Sequence, residues 1–277
     1  IKTIIFDTGG SNLTFLHNLD IRGIPLYDLD LIVMSHWHYD HTGALIKILE
    51  RLDDEVPIIC HDSAKFERFF KRVRNLKNEE LLGKPRSELS PLLSTSKIVN
   101  QEPINIDQVK NLKGQIYFTK EPYEIVNREE LKILVSGEIP RIHAEEDFSN
   151  FLSLQDDIAQ IDKILDDKCL ILEFKENIVL LTGCCHSGLM NTLDYIKTLS
   201  NKPASHIIGG VHLARATDQR ILNTLEYLDR MEKYENKVFV FPMHCSGEKV
   251  RQFAEKYENV GIHCYDVSVG TAFHFED

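Results

Sequence analysis

Two features are missing from this sequence: a long hydrophobic run and an excess of basic residues. No stretch of about eighteen consecutive apolar side chains occurs in its 277 residues, so we expect no membrane-spanning helix. Lysine and arginine number 32 against 43 acidic residues, a formal net charge of -11. Because nucleic-acid-binding proteins usually carry a basic face, this balance argues against that class. The 43% of hydrophobic and 27% of charged residues are instead typical of a globular protein.

Cysteines are few and show no disulfide pattern. The six cysteines match no known framework, and a chain of this length can bury a core without cross-links. Since intracellular thiols stay reduced, we expect a cytoplasmic protein. No signal peptide is visible. The chain opens with Ile1 rather than Met, directly in a strand-like run, and we expect a native amino-terminal strand to be missing.

Apolar runs of strand length alternate with amphipathic helices, the rhythm of an α/β fold. We predict strands at residues 4–6, 31–35, 56–60, 115–118, 123–126, 132–135, 169–174, 178–181, 206–210 and 238–241. We predict helices at residues 43–54, 190–199, 218–234 and 248–257. The chain is interpreted as a single domain over residues 1–277, with a partly irregular insertion or cap at about residues 62–114. In that segment we expect a basic helix over residues 65–78, with Phe66, Phe69, Phe70 and Val73 on its apolar side; the alternative for the segment is a solvated surface excursion.

Four of the apolar strands end in residues that can bind a metal ion or a substrate. These are Asp7, the run at residues 36–41, His186 and His244. Ligand sites in α/β proteins gather at strand ends. Four strands that point the same way would therefore bring these residues together.

The most specific sign of a metal site in the sequence is the run His36-Trp37-His38-Tyr39-Asp40-His41, with three histidines and one aspartate in six residues. In an extended loop, residues two apart face the same way, so His36 and His38 can bind one ion. Asp40 and His41 lie just beyond and can turn to a neighbouring ion. Neutral imidazole and carboxylate ligands suit zinc, iron or manganese. The alternative is a polar loop with fortuitous histidines.

This run resembles the His-x-His-x-Asp-His signature of the metallo-β-lactamase superfamily, and the flanking Phe6-Asp7-Thr8-Gly9 fits as well. The resemblance covers essentially the whole chain and implies an αββα sandwich with the metals at one edge of the two sheets. A narrower resemblance is to the subgroup that contains the dihydropterin-methyl-ribofuranosylaminobenzene-phosphate synthase of methanopterin biosynthesis. The stretches that support it are residues 136–141, 182–188, 209–213 and 243–247.

The superfamily resemblance implies two divalent metal ions, zinc in first place, with manganese, iron or magnesium as alternatives. The implied ligands are His36, His38 and His186 for one ion, and Asp40, His41 and His244 for the other. Asp7 would not bind a metal ion itself; it would orient a ligand histidine through a hydrogen bond. The chain departs from the family at Cys184, where typical members have an aspartate that bridges the metals. Either Cys184 stands near the metals as a thiolate, or solvent alone forms the bridge.

Three further residues are candidates for substrate binding. Arg141 and His212 would supply cations for a phosphate group, and Glu138 lies in the same motif as Arg141. Asp40 and His212 are the candidate catalytic residues. A surface ion pair explains Glu138 and Arg141 equally well, and a hydrogen-bonded structural role is the alternative for His212.

The resemblance implies a transferase in which a ribosylated aniline attacks the methylene of dihydropterin-methyl diphosphate. The alternative is a two-metal hydrolase of a phosphorylated or ester small molecule that uses a bridging hydroxide, with Asp40 or a histidine assisting proton transfer. A diiron redox module is less well supported because no flavodoxin-like segment follows. A phosphorylated small molecule is the expected partner, without nucleic acid or membrane, and assembly into a homo-oligomer is left open.

Overall fold

The computed structural model describes residues 2–72, 76–95, 98–146, 151–232 and 237–276. The described strands are Thr3–Phe6 (β1), Leu29–Val33 (β2), Val56–Cys60 (β3), Glu67–Lys71 (β4), Ile98–Gln101 (β5), Gly114–Phe118 (β6), Tyr123–Asn127 (β7), Lys132–Val135 (β8), Phe151–Gln155 (β9), Ile158–Ile161 (β10), Cys169–Glu173 (β11), Ile178–Thr182 (β12), Ala204–Gly209 (β13), Val238–Pro242 (β14) and Ile262–Cys264 (β15). The α-helices are Asn12–Arg22 (α1), Tyr39–Thr42 (α2), Leu45–Glu50 (α3), Arg86–Leu93 (α4), Ile106–Asn111 (α5), Leu189–Leu199 (α6), Asp218–Glu232 (α7) and Glu248–Ala254 (α8). Short 3-10 helices span Asp62–Lys65, Asn78–Glu80, Ala144–Glu146 and Glu255–Val260. Within these described ranges, every helix is too short or too polar to pass through a bilayer.

The chain divides into two compact units. Unit 1 comprises Ile1–Phe118 and Phe148–Asp166, and unit 2 comprises Thr119–Asp147 and Asp167–Asp277. Unit 1 is therefore built from two separate stretches of the chain. The single domain over residues 1–277 and the cap at about residues 62–114 stay predictions.

A parallel sheet with the order β1-β2-β3-β6 forms the larger sheet of unit 1. Leu45, Ile48 and Leu49 of α3 are spaced to form one apolar helix face, and they pack in the same buried cluster as Ile32 and Ile58 of the strands. Because the strands are parallel, the residues that follow β1 and β2 emerge at the same edge of the sheet. Phe6 pairs with Val33, so Asp7 and the histidine run both follow this edge.

The smaller sheet of unit 1 is antiparallel, with the order β10-β9-β4-β5. Its strand β4 shows that the helix predicted over residues 65–78 is wrong. Pairing with both β5 and β9 overrides the helix-like spacing of the three phenylalanines. Phe69 lies in a buried apolar cluster, as expected for a core residue, while its neighbour Arg68 is buried on the opposite face of the strand. Val73 of the predicted helix falls outside the described residues.

Unit 2 contains a seven-stranded sheet with the order β15-β14-β13-β12-β11-β8-β7. The strands β12 to β15 are parallel, whereas β11, β8 and β7 pair antiparallel. Helices α6, α7 and α8 bury Leu193, Leu225 and Val250 in one cluster with the sheet. In register, Thr182 pairs with Gly209, and Gly209 pairs with Pro242. The loops that follow β12, β13 and β14 therefore leave the sheet side by side.

Candidate metal centre

The carboxylate of Asp7 ties the end of β1 to the histidine run. Its Oδ1 accepts a hydrogen bond from the backbone N–H of Ser35 at 2.7 Å, and its Oδ2 accepts one from the Ser35 hydroxyl at 2.6 Å. Oδ2 also lies 2.6 Å from Nδ1 of His41. Because an ionised carboxylate only accepts hydrogen bonds, this contact places the proton on Nδ1. His41 would then bind a metal ion through Nε2.

The imidazole rings of the run lie close to one another. The ring centroid of His36 is 4.5 Å from that of His38 and 4.1 Å from that of His41. The hydroxyl of Ser35 lies 2.8 Å from Nδ1 of His36. A carboxylate oxygen of Asp40 lies 3.9 Å from Nε2 of His41. Unit 1 thus brings together three imidazoles and one carboxylate from the predicted ligand set.

His38 is held in its neutral form. Its ring stacks on Phe151 of β9 with 4.8 Å between centroids. Burial, reinforced by the positive charge of Arg68, lowers the pKa of His38 to about 3. The imidazole is therefore uncharged at physiological pH, which is the form that binds a metal ion.

A buried ion network holds the backbone of the histidine run at residues 36–41. The Arg68 guanidinium donates two hydrogen bonds to Asp166, at 2.7 and 2.8 Å, and its Nε lies 3.0 Å from a carboxylate oxygen of Asp162. Asp166 in turn accepts a hydrogen bond from the backbone N–H of Trp37 at 2.7 Å. Although burial raises it, the charge and hydrogen bonds of Arg68 lower the pKa of Asp166 to about 2. Asp166 is therefore ionised at neutral pH, and it holds the backbone N–H of Trp37, the residue between His36 and His38.

Unit 2 brings its own donor side chains together at the ends of β12, β13 and β14. The ligand atoms of Cys184, His186 and His212 all lie within 4.8 Å of one another. A second group, Cys184 with His244 and Cys245, meets the same limit. The rings of His186 and His212 are 4.2 Å apart between centroids. His186 and His244 are predicted ligands, and Cys184 is the predicted residue beside them.

The backbone at these strand ends is strained. Cys185, His212 and His244 have φ values of 59°, 47° and 50°, in the left-handed region that non-glycine residues rarely adopt. Asp7 in unit 1 has a φ of 63°. Strained backbone of this kind clusters at functional sites, where the surrounding structure holds it in place.

The loop that contains His186 is tightly held within unit 2. Arg141 donates a hydrogen bond to the carbonyl oxygen of His186 at 2.8 Å. The next backbone N–H, that of Ser187, donates to the carboxylate of Asp167 at 2.7 Å. Asn191 donates to the carbonyl oxygen of Ser187, also at 2.7 Å. These hydrogen bonds hold the backbone of the loop at His186 and Ser187.

The three residues predicted to contact the substrate, Glu138, Arg141 and His212, all belong to unit 2 but have different surroundings. His212 lies in the donor group with Cys184, and Arg141 contacts the ligand loop as described above. Glu138 faces Lys120, with 3.8 Å between the carboxylate and the ammonium group, and its backbone N–H donates to the carbonyl oxygen of Lys120. The substrate roles of all three residues stay predictions.

Sequence reasoning missed three residues that the structure connects to the donors. Cys245 lies next to His244, and that adjacency was the available signal. Arg68 and Asp166 carried no such signal, because the two residues are 98 positions apart in the chain.

The donor types in each unit suit a divalent metal ion, and the donor atoms lie close to the spacing that such an ion imposes. Zinc binds imidazole, carboxylate and thiolate ligands at about 2.0–2.3 Å, which places tetrahedral ligand atoms about 3.3–3.8 Å from one another. The groups in unit 2 lie within 4.8 Å, and the Asp40 to His41 pair in unit 1 is 3.9 Å apart. Each unit therefore offers side chains that could ligate a metal.

The sequence and the fold were also compared with those of known proteins. The family model of the metallo-β-lactamase superfamily matches residues 2–121. A 7,8-dihydropterin-6-methyl-4-(β-D-ribofuranosyl)-aminobenzene-5'-phosphate synthase of Methanocaldococcus jannaschii is 24% identical over 265 residues, which cover 94% of this chain and 82% of that protein. An uncharacterized protein of the same organism is 27% identical over 248 residues, covering 90% and 80%.

A solved structure extends the likeness beyond the matched residues. The crystal structure of a metal-dependent hydrolase of the β-lactamase superfamily aligns with a TM-score of 0.75 and 19% identity, over 99% of this chain and 90% of that chain. At this identity the likeness shows the fold alone, and it confirms the predicted mixed α/β class. The family model over residues 2–121 and this shared fold thus make the metallo-β-lactamase superfamily the one that the chain resembles.

Proposed function

We propose that this protein is a metal-dependent enzyme with two divalent metal ions, zinc in first place. The proposed ligands are His36, His38 and His186 for one ion, and Asp40, His41 and His244 for the other. The observation that carries the proposal is the hydrogen bond from His41 to Asp7, because a carboxylate behind an imidazole is the usual support of a ligand histidine. The neutral state of His38 supports it as well.

For the reaction, we propose transfer of a dihydropterin-methyl group to the amine of a ribofuranosylaminobenzene phosphate. The support is the relative of this name, which matches nearly the whole chain. A bond forms between the amine nitrogen and the methylene carbon, the bond from that carbon to the diphosphate oxygen breaks, and the nitrogen loses a proton. Bound metal ions would supply positive charge that stabilises the diphosphate leaving group.

The chain's own residues would position the substrate and carry the proton. Arg141 keeps a permanent charge, and its hydrogen bond to the ligand loop holds that charge beside His186. With His212, it is the proposed partner of phosphate oxygens, and Glu138 is a further substrate contact. Asp40 and His212 are the proposed proton acceptors; the Asp40 side chain is 33% exposed, so a substrate can reach it.

The test follows pyrophosphate release from dihydropterin-methyl diphosphate by the zinc-loaded protein, with and without the amine acceptor. We expect release that depends on the acceptor and that is lost in His36→Ala. His17→Ala is the matched control, since His17 is an exposed histidine of α1. Release that ignores the acceptor would indicate a hydrolase instead. Absence of release with zinc, manganese or iron would refute the pterin substrate.

We further propose that the enzyme works in the cytoplasm. No disulfide joins its six cysteines, all of which lie in the described residues. Thiol titration of the unfolded protein without reductant should give six thiols, and a lower number would contradict a reduced state.

A further inference from the structure

Cys184 is shared by the two donor groups of unit 2. Its sulfur lies within 4.8 Å of the ligand atoms of His186 and His212 in one group, and of His244 and Cys245 in the other. The Cys245 sulfur also lies 3.4 Å from the carbonyl oxygen of Cys184. Two sulfur atoms and three imidazoles thus meet at the ends of three neighbouring strands.

The adjacent Cys185 is a structural cysteine of the same loop, and its surroundings differ from those of Cys184. Its sulfur lies 3.4 Å from the hydroxyl of Thr192 in α6, and the residue belongs to the apolar core cluster of unit 2. Consecutive residues here face opposite environments: Cys185 faces the core and Cys184 faces the histidines.

The loop with Cys245 is built to hold its sulfur in place. The backbone N–H of Ala214 donates to the carbonyl oxygen of Cys245 at 3.0 Å. The Ser246 hydroxyl donates to the carbonyl oxygen of Met243 at 2.6 Å. Gly210 leaves the space that the sulfur needs, since a Cβ at that position would lie 2.7 Å from the Cys245 sulfur and 3.1 Å from Cα of Cys184.

We propose that Cys184 and Cys245 are thiolate ligands, which together with His244 give one metal ion a sulfur–nitrogen donor set. The inference rests on the proposed function, since it concerns the metal that the enzyme would bind. Soft thiolate ligands favour zinc over magnesium and manganese, which prefer oxygen ligands. The donor set of unit 2 would therefore decide which metal the enzyme uses.

The experiment loads the metal-free protein with cobalt(II), a spectroscopic substitute for zinc, and records its absorbance. Thiolate ligands give a sulfur-to-cobalt charge-transfer band in the near ultraviolet, whereas nitrogen and oxygen ligands give only visible d–d bands. We expect the charge-transfer band in the wild type, a weaker band in Cys184→Ser and in Cys245→Ser, and no band in the double variant. Cys264→Ser is the matched control, a partly exposed cysteine of β15, and should keep the full band.

X-ray absorption at the zinc edge of the wild type tests the same point without any variant. Sulfur ligands lie at about 2.3 Å and nitrogen or oxygen ligands at about 2.0–2.2 Å, so the two shells are distinguishable. We also expect zinc affinity to fall in each cysteine variant by more than the roughly 10–100-fold that loss of an outer hydrogen-bond partner costs.

The outcomes separate the two proposals. Cobalt or zinc bound with nitrogen and oxygen ligands alone would overturn the thiolate inference and leave the proposed metal enzyme intact. A charge-transfer band that survives in the double variant would overturn it as well. Failure of the wild type to bind either metal would refute both.

Discussion

Replacing Arg68 of β4 by methionine should strongly lower the free energy of unfolding of unit 1. The Arg68 side chain is 3% exposed, and the carboxylates that it contacts, Asp162 and Asp166, are 6% and 2% exposed. Methionine fills similar volume but leaves two buried carboxylates without their counter-charge. Breaking a buried ion pair by removing one partner costs about 3–5 kcal/mol. Since domains are stable by about 5–15 kcal/mol, roughly a fifth of the stability or more would be lost.

Equilibrium urea unfolding of the metal-free protein at pH 7 measures this loss. Arg51→Met is the control, because Arg51 also contacts a carboxylate, that of Asp20 at 2.9 Å, but the two side chains are 43% and 62% exposed. A surface pair of this kind contributes less than about 1 kcal/mol. The single tryptophan of the chain, Trp37, donates its backbone N–H to Asp166, so its fluorescence also reports whether the ligand run has moved in the folded variant.

A second substitution tests the electrostatic reason. In Arg68→Met combined with Asp166→Asn, one uncompensated charge is gone, and part of the lost stability should return. Equal losses in Arg68→Met and Arg51→Met would refute the argument. A double variant that is less stable than Arg68→Met alone would refute it too.

Three further perturbations follow from the structure. Asp7→Asn should weaken metal binding about 10–100-fold in a chelator competition, because it changes the partner of His41, and unchanged affinity would contradict this role. Gly43→Ala places a Cβ 2.6 Å from the carbonyl group of Gly10, so we expect a loss of about 1–3 kcal/mol in urea unfolding, and wild-type stability would contradict it. Although burial raises it, hydrogen bonds from a lysine, a tyrosine and a histidine lower the pKa of Asp194 to about 2. Its contribution is therefore full above about pH 4 and is lost as the pH falls towards 2, so the difference in unfolding midpoint between wild type and Asp194→Asn should shrink over that range.

Apolar strands and helices with clear periodicity could be predicted from the sequence. The strands predicted at residues 56–60 and 132–135 coincide with β3 and β8, because both segments are rich in branched apolar residues, which favour strands. Helix α1 was missed although its ends carry ordinary signals: Ser11 caps it, and Gly23 ends it in the left-handed conformation. Its mostly exposed residues give only a weak apolar pattern.

The small antiparallel sheet could not be predicted, because its strands are short and their partners are distant in sequence. Strand β4 pairs with β9, some eighty residues later, and no local pattern records such a pairing. The histidine run was predicted from its composition. That metal-binding residues follow the ends of several strands could also be predicted from the sequence. The contacts of Arg68 and Cys245 depend on which loops meet, which composition does not encode.

The two-part composition of unit 1 has a consequence for synthesis of the chain on the ribosome. Arg68 is synthesised 98 residues before Asp166, so the two syntheses are separated by about 5–20 s at ordinary rates of translation. Until then β4 lacks both its neighbour β9 and the anions for its inward-facing cation. Unit 1 therefore cannot complete its buried ion network while only its first 118 residues exist, and the histidine run gains its support at Trp37 late, after the first strands of unit 2 have already been made.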